Sequence, residues 1–405
     1  MDIMAIDNND VIDTEVDIAV VGEKRILDNS HEDESTGIFD ELIFNSESAL
    51  YSIISICTAL IILLASGIGI IHFWNDTEIG IIGGPPSALL VWENEYRELT
   101  GVEMVNDLDG TGVIMCVVDS GIDLSHPDLK GLELSGWFDA VNDQSQPYDD
   151  EGHGTAMAGI IVANGGFEGI SPGVELLVAK AIGEDGVGSD EYVSESVDWC
   201  VSNGADIISL SLGGNQGFGS GFFTTDSLEQ SVENALDSGI FVIAAAGNDG
   251  LEDDGDVESP GSVEDVICVG GVNRNGNIWS GSSKGDNGGR LWPNPILPRN
   301  NPDKKPELVA PGNEVPVLMA TGIGNDAYWG WSSGTSAATA WVSGAIALFL
   351  ENNTEFQREN TEDRAAIENL KMMIMQNSEM SEGQDGHDDY FGYGILRIDR
   401  LMDAA

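Results

Sequence analysis

Residues 113–119 read VIMCVVD, residues 175–182 ELLVAKAI, residues 206–213 DIISLSLG, residues 241–247 FVIAAAG and residues 265–272 DVICVGGV. Each is a short run rich in Val, Ile and Leu without alternation of polar and apolar positions, the pattern of a strand buried on both faces. Between them, residues 153–164, 189–203 and 228–238 carry apolar side chains at helical spacing. Strands alternating with helices predict an α/β fold, a doubly wound, mostly parallel sheet flanked by helices. In such sheets the working side chains gather at the carboxyl ends of strands and the amino ends of helices.

That rule can be applied to the five histidines. His31 stands in an acidic tail, His72 at the edge of an apolar run, His387 in an acidic loop, and His126 in SHPDL after a strand. Only His153, in DEGHGTAMAGII, stands at a helix start between glycines, which let another backbone approach closely. A helix amino end disfavours the imidazolium, so the ring is expected to be available as a base.

The strand at 113–119 ends in Asp119-Ser120-Gly121, where a carboxylate could hold the second nitrogen of a histidine. In GTSAATAWVSGAIALFLE, Ser336 begins a helix that is apolar all round and therefore buried. Taken alone, Ser336 reads as a helix cap and Asp119 as an ordinary strand-end residue. Together, in the order Asp, His, Ser, DSGIDLSHPDLKG, GHGTAMAGI and SGTSAATAWVSGA resemble the motifs of the subtilisin-like serine proteases. GISPGVELLVAKAI, GADIISLSLGG, FVIAAAGNDG, VICVGGV, KPELVAPG and FGYGIL are similar to the framework of that family in the expected order. The resemblance covers roughly residues 88–400.

What the resemblance implies is a subtilisin-like fold and a serine endopeptidase acting on protein or peptide substrates through an acyl-enzyme. Ser336 would be the nucleophile, His153 the proton carrier and Asp119 its orienting partner. Asn248 in AAAGND would complete an oxyanion hole with the Ser336 backbone N–H. Ser211, Leu212 and Gly213 look like the segment that pairs with the substrate main chain, with Gly186 and Gly188 on the opposite side. Aligning ESPGSVEDVICVG with the family's pocket strand puts Glu258 at the base of the primary specificity pocket and Asp249 at its rim, which suggests a preference for Lys or Arg before the scissile bond. The competing reading is a catalytically inactive subtilase fold serving as a surface binding module.

The sequence departs from the family pattern at Ala156, Ala340 and Trp341, where a second His, a Pro and a His are usual. The stretch after Ile160 is shorter than in relatives with a calcium loop there, so that site is expected to be missing although Asp128 matches a ligand position. No cofactor is required, and calcium could bind elsewhere, in acidic loops such as 249–258 or 385–389.

Outside the catalytic domain, expected at 88–403, the chain changes character. Residues 1–48 hold 14 acids and two bases and read as a disordered acidic tail. Residues 49–71, ALYSIISICTALIILLASGIGII, lie in a stretch without Asp, Glu, Lys or Arg and exceed the ~20 apolar residues that cross a bilayer. One transmembrane helix is therefore expected over 49–73, contacting the lipid bilayer, with a linker over 74–87. A cleaved signal peptide fits less well, because an acidic leader is unlike a basic n-region. The catalytic domain is expected on the extracytoplasmic side, from the family's habit, and the protein is expected to be a monomer.

Seventy Asp and Glu against 16 Lys and Arg give a net charge of −54, which excludes nucleic acid as a partner. Self-repulsion of that size calls for screening by salt or cations, unless the acids merely keep the surface soluble. The four cysteines, Cys57, Cys116, Cys200 and Cys268, have no CxxC spacing, and neither a disulfide framework nor a zinc site is expected.

Overall fold

The apolar runs become strands that are buried along nearly their whole length, because helices cover both faces of the sheet they form. A computed structural model describes residues 2–5, 83–212, 227–250, 256–285, 299–324, 327–361 and 363–405. The strands are β2 (Ile114–Asp119), β3 (Gly136–Asp139), β4 (Glu175–Lys180), β5 (Ile207–Leu210), β6 (Phe241–Ala245), β7 (Ile267–Val272) and β8 (Leu308–Pro311). They lie in the order β3-β4-β2-β5-β6-β7-β8, and every neighbouring pair is parallel. The order reverses at β2, with β4 on one side and β5 on the other, so the crevice of the sheet opens where Asp119 ends β2.

Helix α1 (Ser87–Thr100) leads into the domain. Helices α2 (His153–Val162) and α5 (Thr335–Asn352) pack on each other, and α5 also lies across β5 to β8. Every residue of α2 and every residue of α5 from Thr335 to Leu350 is buried, as an apolar helix requires. Helices α3 (Asp190–Ser202) and α4 (Ser227–Asp237) pack together, α3 against β2 to β4 and α4 against β6. The remaining helices are α6 (Ala365–Asn377) and α7 (Ile398–Ala404). A second, antiparallel sheet is ordered β1-β10-β9, from β1 (Asp2–Ala5), β9 (Val315–Leu318) and β10 (Trp329–Ser333).

The expectation about cysteines is corrected. Cys116 of β2 and Cys200 of α3 form a disulfide, their Cα atoms 5.8 Å apart. Both thiols belong to apolar runs, and those runs face each other where α3 packs on the sheet. Cys268 is a buried free thiol, and burial raises its pKa. Cys57, the acidic tail after residue 5 and the expected transmembrane helix at 49–73 lie outside the described residues. Among the described residues, no helix is long and apolar enough to cross a membrane.

Candidate active site

Parallel register sets two strand ends side by side. Val118 of β2 pairs with Leu210 of β5, so Asp119 and Ser211 follow at neighbouring carboxyl ends, and β6 runs beside β5 toward Asn248. Asp119 is fully buried. Its Oδ1 accepts the Ser120 N–H at 2.7 Å and lies 2.7 Å from His153 Nδ1. Its Oδ2 is buried without a hydrogen-bond partner.

Burial works to lower the His153 pKa, but the charge and hydrogen bond of Asp119, reinforced by Glu151 and Asp149, outweigh it and raise the group above its ordinary 6.5. The helix amino end was expected to favour the neutral ring, and the carboxylates gathered there reverse that sign.

The start of α2 is fixed by side chains that satisfy its unpaired first-turn N–H groups. His153 N donates to Glu151 Oε2 at 2.7 Å, Gly154 N to Ser120 Oγ at 2.8 Å, and Thr155 N to Asp149 Oδ2 at 2.9 Å. Asp149 also accepts from Ser120 Oγ, Gly152 N and Thr155 Oγ1. Buried Lys180, at the end of β4, donates to Ser120 O and Ile182 O and pairs with Asp150. A Cβ on Gly154 would sit 2.2 Å from Gly121 O, so the His153 turn can press onto the Asp119 strand only because residue 154 is glycine.

On the neighbouring strand end, Ser336 begins α5. Its hydroxyl donates to Ser211 O at 2.9 Å, and Ser211 Oγ donates back to Ser336 O at 3.2 Å. The hydroxyl hydrogen is thus directed to Ser211 and not to His153. Asn248 Oδ1 accepts from Thr335 N at 2.9 Å and from Thr335 Oγ1 at 3.1 Å, which orients the amide and leaves Nδ2 beside the first turn of α5. Thr335 Oγ1 also reaches Gly247 O.

The other expected residues surround these two pairs. Gly186 and Gly188 lie in a tight loop after β4, closed by Gly183 N to Val187 O and by a bridge between Ile182 and Gly188. Gly186 has a positive φ of 74°, and a Cβ there would lie 3.7 Å from Glu151 Oε1, so this loop approaches the His153 turn. Leu212 follows Ser211 beyond β5, and Gly213 lies outside the described residues. Glu258 folds its side chain against Gly247, next to Asn248; a Cβ on Gly247 would lie 2.7 Å from Glu258 Cδ and 2.8 Å from Ser283 Oγ. Asp249 N donates to that same Ser283 Oγ.

His126 is used structurally. Its Nδ1 accepts Asp128 N and its Nε2 meets Tyr328 O at 2.7 Å. Asp128 accepts from Gly166 N, Phe167 N and Trp329 Nε1, three N–H donors on one carboxylate. Among the described residues there is no group of three or more His, Cys, Asp or Glu able to hold a metal ion. Trp341 donates to Thr100 Oγ1 and packs edge-on against Tyr96, so one departure from the family pattern is matched by helix α1. Sequence reasoning missed Asp149, Ser120, Lys180 and Thr335. The only signal for Asp149 was its place four residues before His153, inside an acid run where nothing singles it out.

A model of the Peptidase S8 (Subtilase family) proteins matches residues 110–394. The chain belongs to the subtilase family. It is 31% identical over 317 residues to an intracellular serine protease of Paenibacillus polymyxa, covering 74% of this chain and 87% of that one. To the major intracellular serine protease of Bacillus subtilis (strain 168) it is 34% identical over 275 residues, covering 65% and 77%. The crystal structure of a cold-adapted subtilisin-like serine proteinase superposes with a TM-score of 0.55 at 24% identity, over 72% of this chain and 90% of that one. This subtilase is therefore a hydrolase, a serine protease of α/β architecture, and hydrolysis by the family needs no cofactor.

Proposed function

We propose that the protein is a serine endopeptidase in which Ser336, His153 and Asp119 act together. The observation that carries this reading is the His153 Nδ1 to Asp119 Oδ1 contact of 2.7 Å at one strand end, with Ser336 starting a buried helix at the next. Ser336 Oγ leaves Ser211 O, gives its proton to His153 Nε2 and bonds to the scissile carbonyl carbon. His153 returns that proton to the leaving amine as the C–N bond breaks, and water then repeats the exchange to free the acid. Asp119 stabilises the imidazolium. Asn248 Nδ2 and the Ser336 N–H, a first-turn amide without an intrahelical carbonyl, receive the oxyanion.

Ser211, Leu212 and Gly213 on one side, with Gly186 and Gly188 on the other, would hold an extended peptide by its main chain. Glu258 and Asp249 would favour Lys or Arg before the scissile bond. The presence in the sequence of Asp119, His153, Ser336 and Asn248 together, with the His153–Asp119 contact formed, speaks against the inactive binding-module reading.

Residues 49–73 would attach the protein to a lipid bilayer, with the catalytic domain extracytoplasmic and monomeric. One full crossing would put β1 and β10 on opposite faces, so the β1–β10 pairing and a crossing exclude each other within one chain. In sealed vesicles, an amino-terminal tag that is protected from protease while the domain is accessible supports crossing. Accessibility of both supports a segment lying along the surface.

Fluorophosphonate labelling of the full-length protein and its Ser336→Ala variant tests the chemistry. Labelling of the wild type alone supports the proposal, and no labelling of a folded wild type returns the binding module.

A further inference from the structure

The described cysteines present a link that the hydrolytic chemistry does not use. Cys116 lies three residues before Asp119 on the same strand, and Cys200 lies in the last turn of α3, the helix that follows the Gly186–Gly188 loop. The disulfide therefore ties the strand bearing the orienting carboxylate to the helix behind the loop assigned to substrate. Ser120 at the same strand end is otherwise held by noncovalent contacts, its hydroxyl donating to Asp149 and its carbonyl accepting from Lys180. The link is the one covalent constraint among the described residues at this end of β2.

We propose that Cys116 and Cys200 are positioning residues for Asp119, and that this subtilase becomes active only where a disulfide donor can oxidise them. The proposal rests on the serine protease reading above. In the step, one protein thiolate attacks the donor's disulfide and forms a mixed disulfide with release of one donor sulfur. The second protein thiolate attacks the protein sulfur of that mixed disulfide and displaces the other donor sulfur. The Cys116–Cys200 bond forms, the donor's S–S bond breaks, and the donor's two sulfurs leave as thiols with the two electrons and two protons. Both cysteines are completely buried, so the exchange takes place before α3 closes on the sheet, and an external thiolate cannot reach the finished bond without opening the fold. Oxidation is thus a step of maturation and not a reversible switch. It also favours folding on the oxidising side of a membrane, by chemistry independent of the apolar segment.

The test uses the full chain. Denatured without reductant in excess alkylating agent, two of its four cysteines should be modified, and all four after reduction. Wild type refolded with oxidised glutathione, wild type refolded with dithiothreitol, and a Cys116→Ala/Cys200→Ala variant are then labelled with fluorophosphonate from pH 5 to pH 9. The expected result is labelling at least tenfold slower for the last two, with the acid limb of residual labelling moved down as Asp119 loosens its hold on His153. Oxidised enzyme given dithiothreitol only after folding should keep its rate. Four modified cysteines without reductant, or wild-type rate and pH profile in the double variant, would overturn the proposal. An oxidised, folded wild type that does not label removes the protease reading itself, whereas labelling that ignores the link removes only this inference.

Discussion

Asp119 Oδ1 and His153 Nδ1 are 2.7 Å apart, and the second oxygen of the same carboxylate is buried with no partner. The imidazole is thus the principal group that answers the Asp119 charge, and this relation raises its pKa above 6.5 against the effect of burial. Catalysis needs the neutral ring, so kcat/KM should climb with pH through a value above 6.5 in the wild type. The proton is held more tightly in the folded state than in the unfolded one. The pair's contribution to stability is therefore complete below the unfolded pKa of about 6.5 and is lost as pH rises through the folded value. In Asp119→Asn, only Glu151 and Asp149 still oppose burial, so the acid limb should move down, and kcat should drop by about 10⁴. A wild-type limb at or below 6.5 would contradict the assignment.

Asn248 makes a narrower prediction. Its carbonyl oxygen is engaged by Thr335 N and Oγ1, so its amide nitrogen is left beside the first turn of α5. Asn248→Ala should lower kcat by about 10²–10³, the loss known for such a donor in related subtilisins, and leave KM nearly unchanged. A rise in KM with constant kcat would reassign the side chain to ground-state binding.

The parts of this architecture legible in the sequence were those set by a single local cause. β2, β4, β5, β6 and β7 could be read because they are buried on both faces, and α5 because Thr335 to Leu350 has no polar face to offer water. β3, with only Gly-Trp-Phe-Asp, is too short to show a pattern, and β9 carries Pro316, which argues locally against a strand. The disulfide was missed because its partners are 84 residues apart and each looks like a small hydrophobe in an apolar run; their meeting depends on how α3 seats on the sheet. Asp149 was hidden for the opposite reason, as one carboxylate among 70 acids whose role depends on which N–H groups come to it.

The position of Glu258 poses a question of specificity. Its carboxyl lies against Gly247, one residue from Asn248, the proposed oxyanion donor. A peptide library should show Lys and Arg preferred before the scissile bond, and Glu258→Gln should reduce that preference about tenfold while sparing apolar substrates, the effect of one lost ion pair of about 1.4 kcal/mol. The assignment fails if Leu or Phe is preferred by the wild type.

β8 begins beside a buried ionic cluster that tests stability. Lys305, Glu307 and Lys371 are essentially inaccessible, with Glu307 Oε1 2.8 Å from Lys305 Nζ and 2.9 Å from Lys371 Nζ. Glu307 Oε2 accepts Cys268 N at 2.8 Å, and Lys371 also pairs with Asp303. Burial pushes the Lys305 pKa down; burial acts on Lys371 in the same direction, but Glu307 and Asp303 outweigh it and raise that group. Removing the shared carboxylate leaves two buried ammonium groups facing one remaining acid, and charges stranded in this way cost about 3–5 kcal/mol. Glu307→Gln should therefore lower the urea midpoint with little change in the labelling rate of Ser336 in the folded protein, since among the described residues the hydrogen bonds and ion pairs of the cluster go to Val266, Cys268 and Asp303 and not to Asp119, His153 or Ser336. A loss below about 1 kcal/mol would mean that water enters the cluster and screens its charges.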